Sequence, residues 1–223
     1  EFRQIGMELN DVSDFNSWVN LYKKLVYWEL ELAASNDTGM DEILLMQKTE
    51  ANREWTKFIK KSFTNFLRKP DENTPTMSHT AIKRKVLPEL KGDVPVFLIM
   101  LDNFRYDQWK VIQSQLNEHF RLISDDNYLT ILPTTTHYAR NAFFSGMLPS
   151  EIAKLYPNLW VDEEEDEGKN MHEEELLGTQ LNRLGYKEKF SYTKITNLDN
   201  GKRLVDDVPN MFNNKFNVIV YNF

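Results

Sequence analysis

The sequence predicts an α/β protein: an N-terminal α-helical bundle followed by a mostly parallel sheet with helices on both faces. Three observations carry that expectation. Residues 14 to 67 hold aromatic and aliphatic side chains at helical spacing. A stretch rich in Pro, Asp, Asn and Ser, KPDENTPTMS at 69 to 78, then breaks the pattern. Beyond it, short apolar runs alternate with helical segments, as right-handed βαβ units require.

The elements follow in order. In DFNSWVNLYKKLVYWELELAASN, Phe15, Trp18, Leu21, Leu25, Trp28 and Leu32 recur three and four positions apart, forming one stripe of a helix with Asp14 as its N-cap. The cluster Asn36-Asp37-Thr38-Gly39 reads as its stop. A second helix covers 40 to 67, with Ile43, Leu44, Met46, Trp55, Phe58, Ile59, Phe63 and Phe66 among Lys and Glu. Together they predict a helical hairpin, closed into a small bundle by a further N-terminal helix, with the aromatics as core. This places one domain at 1 to 72 and a second at 80 to 223.

In the second domain, HTAIKRKVLPELKGDV predicts a short helix, and PVFLIMLD a buried parallel strand whose carboxyl end is Asp102. RYDQWKVIQSQLNEHF has a helical period, with Trp109, Ile112, Leu116 and Phe120 on one side. NYLTILP is strand-like, and ARNAFFSGM begins another helix. EEEDEG at 163 to 168 is a solvated acidic loop within an irregular segment, 149 to 170, that could cover a cleft. EEELLGTQLNRLG predicts a helix stopped by Gly185, YKEKFSYTKI a strand, and FNVIVYNF a further central strand.

Composition narrows the function. At 223 residues, 41 % hydrophobic and 27 % charged, with 14 Phe, 9 Tyr and 5 Trp, the chain is expected to fold. A net charge of -7 argues against a broadly basic face for duplex DNA, yet leaves small or single-stranded phosphorylated substrates open. With no Cys there is neither a disulfide framework nor a thiolate zinc site, so a metal would need O and N ligands. VPVFLIML is far too short to span a membrane, so no membrane insertion is expected.

Ligands of open α/β sheets sit beyond the carboxyl ends of the strands. Two suggestive groups fall there: Asp102 after VFLIML, and the threonine run of LPTTTHYARNAFFSG after YLTIL. Asp102 reads equally as a cation ligand or as a turn or N-cap acid. Thr136 reads as a nucleophile activated by a metal and a helix amino end, or as an N-cap. Secondary candidates for phosphate binding are Arg105, His137, Arg140 and Asn141. Two of them have a plain structural reading as well: a surface or helix-capping ion pair for Arg105, a satisfied structural histidine for His137.

PVFLIMLDNFRYDQW followed by ILPTTTHYARNAFFSGMLPSE resembles the PglZ domain, a branch of the alkaline phosphatase superfamily of metal-dependent phosphoryl and sulfuryl transfer enzymes. WVNLYKKLVYWELELA with MQKTEANREWTKFI resembles the middle part of a response-regulator family of the Bacteroidota type IX secretion system. The first resemblance implies a partial alkaline-phosphatase-like domain with two zinc ions, Asp102 and Thr136 binding the same metal, and Thr136 attacking phosphorus. The match of the Pro133-to-Gly146 spacing to the phosphodiesterase branch favours Thr136, with Thr135 as the alternative nucleophile. It implies a nucleotide-type phosphodiester as substrate and, by analogy with an Asn that follows the nucleophile in that branch, Asn170 as a donor to a phosphate oxygen. The second implies a cytoplasmic two-component output module, a sensor histidine kinase acting through a receiver domain before Glu1, and a homodimer. The abrupt ends predict a fragment, with the remaining Asp and His ligands beyond Phe223 and little metal binding or activity without them. The competing expectation is a catalytically silent signalling scaffold that keeps the fold for protein contacts and dimerisation.

Overall fold

The computed structural model describes residues 2–35, 39–161, 168 and 170–222. The chain divides into two compact units, Glu1–Pro75 with Phe104–Asn127, and Thr76–Asn103 with Tyr128–Phe223. No helix among the described residues is long and apolar enough to cross a membrane.

The first unit is helical: α1 (Phe2–Asp11), α2 (Phe15–Ser35), α3 (Asp41–Arg68) and α5 (Tyr106–Asn117). Asp14 caps α2 as its sequence position predicts. Its carboxylate accepts from the Ser17 N–H at 2.9 Å, and its own N–H donates to the Ser17 hydroxyl at 3.2 Å. Ile5 and Leu9 of α1, Trp18, Leu21, Leu25 and Leu32 of α2, and Leu44 and Ala51 of α3 form the core. Trp18 meets Trp55 edge-on with ring centroids 5.5 Å apart, so these aromatics are core, as expected. The α3 stripe is narrower than its spacing suggests, because Ile43 and Met46 are exposed. The loop that ends α2 at 36 to 38 lies outside the described residues. On α5, Trp109, Ile112 and Leu116 are half-buried, while Phe120 lies past the helix and is exposed. Asp125 binds α5 to α2: it lies 3.3 Å from Lys23 and 3.1 Å from Lys110, and accepts from the Tyr106 hydroxyl.

The second unit is built on a three-stranded parallel sheet in the order β1-β3-β2, with β1 Val96–Leu101, β2 Phe190–Ile195 and β3 Phe216–Tyr221. The register aligns Val96, Phe216 and Phe190 at one end, and Leu101, Tyr221 and Ile195 at the other. One face, from Phe216, Val218 and Val220, packs against α4 (Ser78–Ala81), α6 (Thr136–Ser145), α7 (Pro149–Leu155) and α8 (Glu173–Arg183). The other face packs through Ile195 and Ile219 on Leu204 and Met211 of α9 (Leu198–Met211). Helices on both faces of a parallel sheet were the predicted arrangement.

Several elements differ from the sequence-based expectation. β1 is an edge strand with Ile99 and Leu101 exposed; a continuous apolar run does not by itself separate an edge from a centre. NYLTILP joins no sheet. Its backbone goes instead to 76–78, with the Leu129 N–H donating to the Thr76 carbonyl and the Ser78 N–H to the Leu129 carbonyl, a single parallel bridge. Asp102 therefore follows a strand of this sheet, whereas the threonine run does not. The segment from 149 is more regular than expected, α7 being followed by a 3-10 turn at Pro157–Leu159. The acidic loop at 163 to 168 falls outside the described residues except for Gly168. Helix α9 was not anticipated, although Asn197 caps it by accepting from the Asn200 N–H at 2.9 Å. Gly185 ends α8 as predicted: at φ 77° it lets the Tyr186 N–H reach back to the Leu181 carbonyl.

Candidate functional site

Side chains alternate along a strand, so the sheet face that packs on α6 and α8 carries the even-numbered residues of all three strands. On β2 that series is Phe190, Tyr192, Lys194. On β1 it runs Val96, Leu98, Met100 and on to Asp102, and on β3 Phe216, Val218, Val220 and on to Asn222. Past the strands the ladder continues, the Asp102 N–H donating to the Tyr221 carbonyl at 3.0 Å and the Asn222 N–H to the Ile195 carbonyl at 2.9 Å. Each series is apolar for most of its length and turns polar at its carboxyl end. The result is one polar edge, made of Asp102, Asn222, Tyr192 and Lys194.

Two helices supply the charges that meet this edge. Arg140 of α6 donates through Nη1 to Asp102 Oδ2 at 2.7 Å and to Asn222 Oδ1 at 2.9 Å. Its Nη2 donates to Glu173 Oε2 at 2.7 Å, and its Nε forms an ion pair with Glu173 Oε1 at 2.7 Å. Glu173, the first residue of α8, is fully buried. The Tyr192 hydroxyl donates to Glu173 Oε2 at 2.6 Å, and Lys194 Nζ lies 3.4 Å from the same oxygen. Burial, followed by the Glu173 charge, pushes the Tyr192 phenol far above its ordinary value, so it remains a neutral donor. Two acids face two bases, and each buried charge has its counter-charge within hydrogen-bonding range.

Asp102 is held from both sides. Its Oδ1 accepts from the N–H of Asn103 at 3.0 Å, and Asn103 itself sits in the left-handed region at φ 56°. Asn adopts this region more readily than most residues. The guanidinium on Asp102 is thus that of Arg140, whereas Arg105, in the first unit, pairs with Asp107 through Nε at 2.9 Å and Nη2 at 2.8 Å on an exposed surface.

The threonines lie at the start of α6, all three exposed. Thr135 occupies the N-cap position, but its side chain makes no capping hydrogen bond; its carbonyl accepts from the Tyr138 and Ala139 N–H groups. Thr136 is the first helical residue, four positions before Arg140 and so on the same face of α6, one turn from the residue that grips Asp102. His137 and Asn141 occupy the neighbouring face and are buried. The His137 ring stacks on Trp160 with centroids 4.3 Å apart. The Asn170 carbonyl accepts from Lys194 Nζ at 3.2 Å.

Of the residues expected from sequence, Asp102 and Arg140 are in contact, and Thr136 shares a helix face with Arg140. Glu173, Tyr192, Lys194 and Asn222 were missed. Asn222 was the most accessible of these, since it follows an apolar strand as Asp102 does. Glu173 stands in a row of three glutamates, and nothing in the row marks the one that is buried. A metal centre needs at least three convergent ligands. Among the described residues no three His, Asp or Glu side chains come together to hold one, and both oxygens of Asp102 already accept hydrogen bonds. As arranged, these residues do not form a metal site.

Two family models match the chain. Residues 1–67 match the PorX response regulator linker domain, and residues 81–223 match the BREX system PglZ alkaline phosphatase-like domain. No match is found among the curated proteins. The second model covers well over half of the chain, and the parallel sheet with helices on both faces is the architecture expected of it. The chain therefore belongs to the PglZ alkaline phosphatase-like family, and its N-terminal helices are a PorX-type response regulator linker.

Proposed function

We propose that the protein is a phosphodiesterase whose nucleophile is Thr136, working as the output module of a two-component response regulator that controls type IX secretion. The observation that carries this reading is the position of Thr136: exposed, first in α6, and one turn before the arginine bound to Asp102. An exposed hydroxyl at a helix amino end is accessible to a phosphodiester, and the positive end of the helix favours both the phosphate and the charge developing on Oγ. Oγ gives up its proton to solvent as it attacks phosphorus in line with the leaving oxygen; the P–O bond to that oxygen breaks as the bond to Thr136 forms, and the departing alcohol takes up a proton from solvent. Water then attacks the phosphothreonine ester and releases the monoester. Family membership implies zinc, which when bound would lower the hydroxyl pKa and neutralise phosphate charge.

The net charge of -7 favours a small nucleotide-type diester over duplex nucleic acid. The PorX-type linker supports a receiver domain, a sensor histidine kinase and a homodimer as its signalling context. A second reading has its own observation. With both Asp102 oxygens engaged by the protein, the fold also suits a silent scaffold used for protein contacts. Hydrolysis of bis(4-nitrophenyl) phosphate by the full-length protein supplied with zinc separates the two. Turnover in wild type, reduced about 1,000-fold or more in Thr136→Ala and largely kept in Thr135→Ala, is the expected result. Equal turnover in Thr136→Ala would remove Thr136 as nucleophile, and no turnover of any diester by wild type would favour the scaffold.

A further inference from the structure

We propose that residues 104–127 are a coupling segment through which the response regulator linker acts on the candidate site. That role deepens the reading of the protein as a signalling output, and its test reads backbone motion instead of turnover, so failure of one leaves the other standing. Sequence and structure divide this segment differently. Residues 104–127 lie inside the stretch that matches the alkaline phosphatase-like domain, yet they fold with the linker helices as part of the first unit. The chain thus leaves the second unit after Asn103 and re-enters it at Tyr128.

Within the first unit the segment is latched to the linker. Lys23, on α2, donates to the Asp125 carbonyl at 3.0 Å and lies 3.3 Å from its carboxylate. Asp125 also accepts from Tyr106 and Lys110 of α5 at 3.2 and 3.1 Å, and the Tyr22 ring of α2 meets the Tyr106 ring with centroids 5.9 Å apart. A shift of α2 against α5 must therefore break these contacts or carry Asp125 with it.

Both ends of the segment run into the candidate site. Asp102, two residues before Phe104, is the carboxylate that Arg140 grips, and Asn103 turns the chain away from it at φ 56°. At the other end Leu129 follows Asp125 by four residues, at most about 14 Å of chain. Leu129 is bridged to Met77, and two residues on the Ile131 N–H donates to Ser78 Oγ at 3.1 Å. Thr136 comes five positions after Ile131. Displacing Asp125 therefore pulls first on the Leu129 bridge, and through it on the threonine run.

Hydrogen–deuterium exchange of the full-length protein tests this at the Leu129 and Ile131 amides, both buried and both hydrogen-bonded within the second unit. Lys23→Met keeps the apolar stem and loses the latch. It should speed exchange at both amides about threefold, the scale of one partly exposed ion pair. Asp125→Asn should do at least as much, and the double variant should add little to it, because both changes remove the same contact. Lys24→Met is the control: Lys24 pairs with Glu8 at 2.5 Å inside the linker, so its loss should leave both amides unchanged. Faster exchange confined to α2 and α5, with Leu129 and Ile131 at wild-type rates in Lys23→Met and Asp125→Asn, would make the segment a passive tether and overturn the proposal. Equal acceleration in Lys24→Met would overturn it too, since that would be a general loosening of the linker.

Discussion

Glu173→Ala should destabilise the unit formed by Thr76–Asn103 and Tyr128–Phe223 by about 3–5 kcal/mol, the range measured when one partner of a buried ion pair is removed. The reason lies in what is left behind. Arg140, 7 % exposed at its side chain, would keep Asp102 and Asn222 on Nη1 but lose the partner of its Nε and Nη2. Tyr192 would lose its acceptor at 2.6 Å, and Lys194 the carboxylate at 3.4 Å, leaving it the Asn170 carbonyl. Glu174 and Glu175 are exposed on the first turn of the same helix, and Glu174→Ala should change stability by only about 0.5 kcal/mol. Denaturant unfolding of the two variants side by side measures the contrast. Equal, small losses would mean that the network seen around Glu173 is energetically idle.

Gly146→Ala should cost about 2–4 kcal/mol, from two sources that a control can separate. Gly146 ends α6 at φ 66°, a region that costs an L side chain roughly 1–2 kcal/mol. A Cβ there would also stand 2.2 Å from the amide end of Gln180 and 2.9 Å from its Cγ. Gln180 is buried, and with its amide nitrogen turned toward α6 it donates to the Phe143 and Phe144 carbonyls at 3.2 and 2.9 Å. Displacing it gives up both bonds, worth about 1 kcal/mol each. Gly185 has a similar φ of 77° but nothing within 4 Å of its virtual Cβ, so Gly185→Ala should cost only the conformational part. If thermal or denaturant unfolding finds the two substitutions equally costly, the contact with Gln180 carries no weight. The expected consequence reaches the candidate site, because Gln180 locks α8 onto α6, the two helices that bear Glu173 and Arg140.

The helical unit was the most legible part of the sequence, because a 3.6-residue period in an amphipathic helix states directly which side is buried. Trp18, Leu21, Leu25 and Leu32 are core as their spacing says. The sheet unit was legible in class and blurred in detail. A short apolar run has the same appearance whether it forms an edge strand, as 96–101 does, or pairs once with a neighbouring segment, as Leu129 does with Met77. The site divides the same way. Asp102 was visible because an acid ending an apolar run is unusual, and Arg140 because it follows the threonines by one turn. That the two bond to each other depends on the packing of α6 against the sheet, which no local pattern encodes. Glu173 was invisible for the same reason, since burial selects it from among its acidic neighbours only when α8 docks.

The central claim is that Thr136 carries the chemistry, and trapping the covalent intermediate tests it most directly. Full-length protein supplied with zinc and bis(4-nitrophenyl) phosphate, quenched in acid and digested, should yield an aryl phosphate ester on the peptide containing Thr136, absent from Thr136→Ala. An adduct on Thr135 in the wild-type protein, or steady turnover with no adduct on this peptide in either protein, would contradict the account.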